Sequence, residues 1–174
     1  SGKSTITSIL KYILKKKYNL NTCIFSIDDF YKTKLERKKM SLNTHPLFLT
    51  RGVPGTHDTN LIIKTIKKLK KQKFKNVSIP RFDKSIDDRM IKKKWQKIQN
   101  PPQIIIFEGW CVGAKHQKNS QIKKPLNFIE RKYDRNFVWR KTVNNALKNR
   151  YKKLFKEIDR LIYLKVPSFN YIFK

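Results

Sequence analysis

Ser1-Gly2-Lys3-Ser4-Thr5 opens this 174-residue sequence and gives the strongest indication of its architecture. These residues match the second half of the phosphate-binding loop G-x-x-x-x-G-K-[ST], in which backbone amides and the positive end of a helix hold phosphate oxygens. The lysine of such a loop reaches the outer phosphates, and the hydroxyl group after it ligates Mg²⁺. The first glycine of the loop would precede Ser1, so a chance occurrence of these five residues is an open alternative.

The residues after this stretch have the spacing of an amphipathic helix. Five apolar side chains fall on one stripe at helical spacing: Ile6, Ile9, Leu10, Ile13 and Leu14. We therefore predict a helix from about Ser4 to Lys17, with its N-terminus at the Gly-Lys-Ser.

Two short apolar runs are typical of buried strands, and each ends in carboxylates. Residues 22–26 lead into Asp28 and Asp29, and residues 104–107 lead into Glu108. We predict that Glu108 approaches a metal ion beside the phosphates, and that Asp28 accepts the proton of an attacking hydroxyl group. Ordinary helix capping by the aspartates, and capping of the turn at Gly109 by Glu108, are the structural alternatives.

The rest of the pattern indicates one α/β domain. Residues 44–55 are rich in turn-forming residues and predict a loop, after which Asp58 can cap a helix. A short strand is predicted at residues 77–80, an irregular segment at 81–95, and a long helix over 147–158. A further buried strand is predicted from Leu161 to Leu164. Apolar strands that alternate with helices predict a parallel sheet covered on both faces.

The net charge is +30, from 42 Lys and Arg against 12 Asp and Glu. One interpretation is a nucleic-acid partner, whose phosphates the lysine runs would contact. The other is a general compositional bias, with the lysines on solvated helix faces. We favour the second interpretation, because the charges are spread along the chain and no nucleic-acid-binding motif accompanies them.

The small number of cysteines and the lengths of the apolar runs bear on the cellular compartment. Cys23 and Cys111 are too few for a zinc site and lie far apart, which favours a reducing, cytoplasmic environment. No run of about eighteen apolar residues occurs, so we predict a protein without a membrane segment.

Four longer stretches, together with Gly2-Lys3-Ser4-Thr5, resemble one known family. They are Ser26-Ile27-Asp28-Asp29-Phe30-Tyr31, Arg51-Gly52-Val53-Pro54-Gly55-Thr56-His57-Asp58, Phe82-Asp83-Lys84-Ser85 and Phe107-Glu108-Gly109-Trp110-Cys111-Val112-Gly113. Their order and spacing resemble the D-glycerate 3-kinase family, within the uridine kinase-, phosphoribulokinase- and pantothenate kinase-like P-loop kinases. The resemblance extends from Gly2 to about Lys174. Where the family usually has a Gly-Arg-Gly-Asp-Arg stretch, this sequence has Ile86-Asp87-Asp88-Arg89.

The resemblance implies a three-layer α/β P-loop fold over residues 1–174, as a single domain without its first strand and C-terminal lid. It implies ATP and Mg²⁺ as cofactors and a small acid, such as D-glycerate, as the acceptor. Asp28 would be the general base, with Lys3 as the second catalytic residue. The nucleotide would bind at Ser1, Gly2, Lys3, Ser4 and Thr5. The metal would bind at Ser4 and Glu108. The acceptor would contact Asp29, Tyr31, Arg51, His57, Arg81, Lys84 and Arg89.

Three alternatives stay open at this point. The first keeps the fold and replaces the acceptor by a nucleoside or a pantothenate-like molecule. The second is a nucleic-acid-binding protein with an ATPase-like core, and the third is a relative without catalytic activity. The oligomeric state is not predicted.

Overall fold

A computed structural model describes residues 2–71, 74–165 and 168 of the chain. The helices are α1 (Lys3–Tyr18), α2 (Lys34–Asn43), α3 (Thr59–Leu69), α4 (Asn119–Lys123), α5 (Phe128–Tyr133), α6 (Val138–Ala146) and α7 (Lys152–Phe155). The strands are β1 (Thr22–Ser26), β2 (Val77–Ile79), β3 (Phe82–Asp83), β4 (Asp88–Arg89), β5 (Gln96–Ile98) and β6 (Ile104–Glu108). A π turn at Leu147–Tyr151 joins α6 to α7.

The two predicted apolar strands form one parallel pair. Strand β1 lies beside β6 in a register that runs from Thr22 opposite Ile104 to Ser26 opposite Glu108. Both strands therefore end at the same level of the sheet. The residues that follow β1 in the chain consequently emerge next to Glu108.

Helix α3 shares a hydrophobic core with this pair. Phe25 is buried, and its ring lies 5.5 Å from that of Phe30 and 5.3 Å from that of Phe107. Helix α3 contributes three buried side chains to the same core: Ile62, Ile66 and Leu69. The predicted cap is confirmed, because the Asp58 side chain accepts a hydrogen bond from the Leu61 amide at 3.0 Å. The cap thus locates the start of α3 correctly.

The predicted N-terminal helix is confirmed in its bounds, since α1 spans Lys3–Tyr18 and packs on β1 and β6. Its apolar stripe is not buried by the described part of the chain. Ile6, Ile9 and Ile13 are 46%, 54% and 43% exposed. The helical period therefore predicted the helix correctly, although much of its apolar stripe is not covered by the described residues.

The predicted strand from Leu161 to Leu164 is wrong. These residues have no regular structure, and Ile162 and Tyr163 are 74% and 83% exposed. A strand requires a neighbour that supplies ladder hydrogen bonds, and no strand of the described residues pairs with this segment. The predicted long helix begins at Val138 and ends at Phe155, so Ile158 lies beyond it.

Several elements were not predicted because their sequences are polar. Helix α2 is lysine-rich and begins with a capping box, in which Thr33 and Glu36 satisfy each other's backbone amides. Strand β5 pairs antiparallel with β2, and β3 pairs antiparallel with β4. The last pair forms a tight hairpin within the segment that was predicted to be irregular.

Gly109, directly after β6, lies against a fully buried side chain. A Cβ atom at this position would overlap Ile27 Cγ2 and approach Val112 Cγ2 to 3.1 Å. Ile27 is 0% exposed and β-branched, so it has little freedom to turn away. We expect Gly109→Ala to lower the free energy of unfolding by about 1–3 kcal/mol, as measured by urea denaturation.

A double variant tests the cause of that loss. Ile27→Ala removes the overlapping methyl group, so Gly109→Ala should cost less than about 1 kcal/mol in the Ile27→Ala background. An equal cost in both backgrounds would show that overlap with Ile27 is not the reason.

Candidate functional site

A cavity of about 350 Å³ lies where α1 begins and where β1 and β6 end. Its acidic lining residues are Asp28, Asp29 and Glu108, and its basic ones are Lys3, Arg81 and Lys84. The other lining residues are Ser4, Ser26, Gly109 and Trp110. The structure therefore brings together the helix start and the three carboxylates that the sequence analysis singled out.

The start of α1 is suited to binding an anion. Gly2 precedes the helix in the left-handed conformation (φ 65°), which glycine adopts without a steric cost. No side chain caps this helix, and no acidic side chain lies in its first turn. The amides of a first helical turn have no acceptor inside the helix, so those after Gly2 are suited to phosphate oxygens.

Ser4 and Glu108 meet at the wall of the cavity. The Ser4 hydroxyl donates a hydrogen bond to Glu108 Oε1 at 3.5 Å. A hydroxyl and a carboxylate are hard oxygen ligands, and Mg²⁺ is commonly held by one or two such groups, with water and phosphate in its other positions. Within the described ranges, no cluster of three or more His, Cys, Asp or Glu side chains is arranged to hold a metal. The pair fits Mg²⁺ and does not resemble an all-protein cage.

Asp28 is held by its own turn and by contacts with two further side chains. Residues 27–30 form one 3₁₀ turn, and the Asp28 amide donates to Ser26 Oγ at 3.2 Å. Tyr31 Oη donates to Asp28 Oδ1 at 3.1 Å, and Lys84 Nζ lies 3.5 Å from Oδ2. The carboxylate is thus held at the cavity wall with Oδ2 on the side of a cation.

The β3–β4 hairpin carries the two cations that face the aspartates. Arg81 Nη1 lies 3.4 Å from Asp29 Oδ2, and the Phe82 amide donates to the other oxygen of that carboxylate. Burial raises the pKa of Asp29, and the Arg81 charge opposes this in part. The side chains of Arg81 and Lys84 are 48% and 65% exposed, so both remain accessible from the cavity.

Arg51 and Arg89, predicted to contact the acceptor, do not lie at the cavity wall. Arg51 pairs with Asp87, which also binds the fully buried Arg37 at 2.9 Å. Arg89 donates to the Tyr31 carbonyl oxygen at 2.7 Å and lies 3.7 Å from the Asp58 carboxylate. Both arginines hold the hairpin and its neighbours in place.

Asp87 explains how residues 86–89 can form a hairpin although they differ from the Gly-Arg-Gly-Asp-Arg stretch that is usual in the family that the sequence resembles. It has a left-handed backbone (φ 55°), a conformation that glycine and, less often, Asp or Asn adopt. Its side chain then receives Arg37 and Arg51. The hairpin therefore forms without the two glycines of the Gly-Arg-Gly-Asp-Arg stretch.

His57 and Tyr31, also predicted to contact the acceptor, are buried behind the wall. His57 is 2% exposed and Tyr31 is 4% exposed. Their rings stack with centroids 4.3 Å apart, and His57 Nδ1 lies 2.5 Å from Tyr151 Oη. Burial lowers the pKa of His57 from 6.5 to about 4, so the ring is neutral at pH 7. A neutral, buried imidazole does not serve as the cation of an acceptor site.

Sequence reasoning missed three residues of the lining. Ser26 and Gly109 contribute as the neighbours of predicted acids. Trp110 is 59% exposed and donates from its indole nitrogen to the Gly52 carbonyl oxygen at 3.2 Å. The signal was present in the sequence, because Trp110 lies two residues after the acid that ends β6. Ser1, predicted to bind the nucleotide, lies outside the described residues.

The known proteins that this chain resembles are named as kinases. The chain is 33% identical over 183 residues to the uncharacterized kinase mug58 of Schizosaccharomyces pombe, an alignment that covers 100% of this chain and 64% of the relative. It is 29% identical to the chloroplastic D-glycerate 3-kinase of Arabidopsis thaliana, with coverages of 99% and 37%. The D-glycerate 3-kinase structure from Cryptococcus neoformans var. grubii superposes with a TM-score of 0.72 at 28% identity, over 90% of this chain and 58% of that one. No family model matches. This chain thus spans less than two thirds of the length of each of these proteins.

The burial of His57 predicts a loss of stability below neutral pH. Between pH 6.5 and about 4 the unfolded chain takes up a proton at His57 that the folded chain does not. The stabilising contribution is therefore complete above pH 6.5 and falls away as the pH decreases towards 4, by up to about 3 kcal/mol. Urea unfolding at a series of pH values measures this dependence.

Two histidine variants isolate the effect. His57→Gln should remove this part of the pH dependence, whereas His116→Gln, at an exposed position, should keep that of the unmodified protein. The same pH dependence in His57→Gln and the unmodified protein would contradict the assignment.

Proposed function

On the premise that this chain has the α/β fold of P-loop kinases and resembles D-glycerate 3-kinase and its relatives, we propose that the whole protein is an ATP-dependent kinase of a small hydroxy acid. The resemblance predicted from the sequence motifs is confirmed by these relatives. The observation that carries the proposal is that the start of α1, Glu108 and Asp28 line the same cavity, with Arg81 and Lys84 beside them.

The nucleotide would bind at the start of α1. The amides after Gly2 and the side chain of Lys3 would hold the outer phosphates of ATP. Ser4 and Glu108 would hold Mg²⁺, which fits their oxygen atoms and their 3.5 Å separation. A bound Mg²⁺ would neutralise part of the negative charge that surrounds the γ-phosphate.

Asp28 would act on the acceptor. The acceptor's hydroxyl oxygen forms a bond to the γ-phosphorus, and the bond from that phosphorus to the oxygen bridging to the β-phosphate breaks, releasing ADP. The hydroxyl proton passes to the carboxylate of Asp28. Lys3 offsets the charge of the transferred group. The turn at residues 27–30, which Ser26 caps, keeps the carboxylate at the cavity wall.

The charges at the cavity favour an anionic acceptor. Arg81 and Lys84 stand beside the two aspartates and remain accessible. A carboxylate on the substrate would pair with a guanidinium or an ammonium group. D-glycerate, with one carboxylate and two hydroxyl groups, has this chemistry, whereas an uncharged nucleoside has no carboxylate to offer either cation.

The compartment predicted from the sequence is the cytoplasm. Among the described residues, no helix combines the length and the apolar character needed to cross a membrane. The Arabidopsis thaliana relative is named as chloroplastic, so the cytoplasmic location stays a prediction.

Removing the proposed base should abolish turnover without removing the nucleotide site. We expect Asp28→Asn in the full-length protein to lower kcat by about 10²–10⁴-fold, measured as ADP release with ATP, Mg²⁺ and D-glycerate. Affinity for ATP should change little, because Asp28 lies beyond the phosphate-binding helix start.

Asp159→Asn is the matched control, since that carboxylate is 87% exposed and lies outside the cavity. An Asp28→Asn enzyme with undiminished kcat would remove Asp28 from the mechanism. If the unmodified protein releases no ADP with D-glycerate, the assigned acceptor is wrong. If it releases none with other small hydroxy compounds and nucleosides as well, the kinase assignment is wrong.

A further inference from the structure

Tyr31 stands directly behind the proposed base. A 3₁₀ turn has three residues per turn, so side chains three positions apart lie one above the other. The turn at residues 27–30 thereby places the Tyr31 hydroxyl on Asp28, with Tyr31 Oη donating to Oδ1 at 3.1 Å. Burial and the neighbouring Asp28 charge raise the pKa of Tyr31 well above its ordinary value, so the hydroxyl group keeps the proton that it donates.

The ring of Tyr31 is held between two other rings. It stacks on His57 with an interplanar angle of 21°, and the edge of Phe82 meets it at a centroid distance of 5.3 Å. A backbone bridge also joins Tyr31 to His57. The hydroxyl group therefore has little freedom to leave Asp28.

His57 is in turn fixed by Tyr151, which belongs to the π turn between α6 and α7. The Gly55 amide donates to Tyr151 Oη at 2.9 Å, and the Tyr151 hydroxyl faces His57 Nδ1 at 2.5 Å. The Tyr151 hydroxyl group and His57 Nδ1 thus share one hydrogen bond. Tyr151 lies in the π turn and is 1% exposed. Single π turns inside α-helices are frequent at functional sites.

We propose that Tyr31 is a positioning residue for Asp28, and that the stacking of Tyr31 on His57, together with the edge-on contact of His57 with Tyr151, transmits the rigidity of the helix to the base. The inference rests on the proposed phosphoryl transfer, because only that reaction requires Asp28 to accept a proton. Tyr31 Oη occupies Oδ1, so the acceptor would approach Oδ2, on the side of Lys84. Tyr31 thus acts through Asp28 and does not itself contact the substrate, since it does not line the cavity.

Tyr31→Phe tests this role, because it keeps the stacked ring and removes only the hydroxyl group. We expect kcat of the full-length protein, measured with ATP, Mg²⁺ and D-glycerate, to fall about 10- to 100-fold, as for the loss of a hydrogen bond to a charged group. The KM values for ATP and for D-glycerate should stay within about twofold, because an interaction that acts only on the base changes kcat.

The double variant Tyr31→Phe/Asp28→Asn distinguishes positioning from a general structural role. If Tyr31 acts through Asp28, adding Tyr31→Phe to Asp28→Asn should lower kcat by less than about twofold further. Equal losses in both backgrounds would overturn the inference. Tyr163→Phe, at a position that is 83% exposed, is the control and should leave kcat unchanged.

Tyr151→Phe is a second variant that leaves the Tyr31 hydroxyl in place. It should lower kcat in the same direction by a smaller factor of about threefold, and this loss too should vanish in the Asp28→Asn background. An unchanged kcat in Tyr31→Phe overturns the inference. If Tyr31→Phe fails to fold, an unchanged kcat in Tyr151→Phe overturns it instead. So does a rise confined to the KM for D-glycerate, which would make Tyr31 a substrate ligand. An inactive unmodified protein refutes the proposed kinase activity instead.

Discussion

The contact between Ser4 Oγ and Glu108 Oε1, at 3.5 Å, joins the start of α1 to the end of β6, and the candidate site depends on that approach. It is possible because β1 and β6 are parallel and in a register that sets Ser26 opposite Glu108. A slip of one residue would turn Glu108 to the other face of the sheet. The same register delivers Asp28, two residues beyond β1, to the cavity. The start of α1 and the ends of β1 and β6 thus form one polar cavity.

Apart from Lys3 at the start of α1, the basic residues in and behind the cavity wall divide into two groups. Arg81 and Lys84 face the cavity and remain accessible. Arg37, Arg51 and Arg89 are engaged with Asp87, Asp58 and the Tyr31 carbonyl oxygen. These three arginines hold the hairpin that presents the first group. The functional charge of the site is therefore a small part of the net +30 of the chain.

The features that the sequence predicted correctly are those carried by local patterns. The period of α1, the Asp58 cap and the acid at the end of β6 are all visible in short windows. The strand at 161–164 was predicted wrongly because an apolar run does not specify a pairing partner. His57 was assigned to the acceptor through its motif, yet its burial follows from packing against Tyr151, 94 positions away. Such long-range contacts leave no local signal, and the same holds for the salt bridge of Arg37 with Asp87.

A crystal structure of the whole protein with a non-hydrolysable ATP analogue and Mg²⁺ tests the central claim most directly. The account predicts the β- and γ-phosphates at the amides after Gly2. It also predicts the metal about 2.0–2.1 Å from Ser4 Oγ, with Glu108 bound to it directly or through one water. Asp28 should face the γ-phosphate from across the cavity. Phosphates bound at another surface, or a metal that neither Ser4 nor Glu108 approaches, would contradict it.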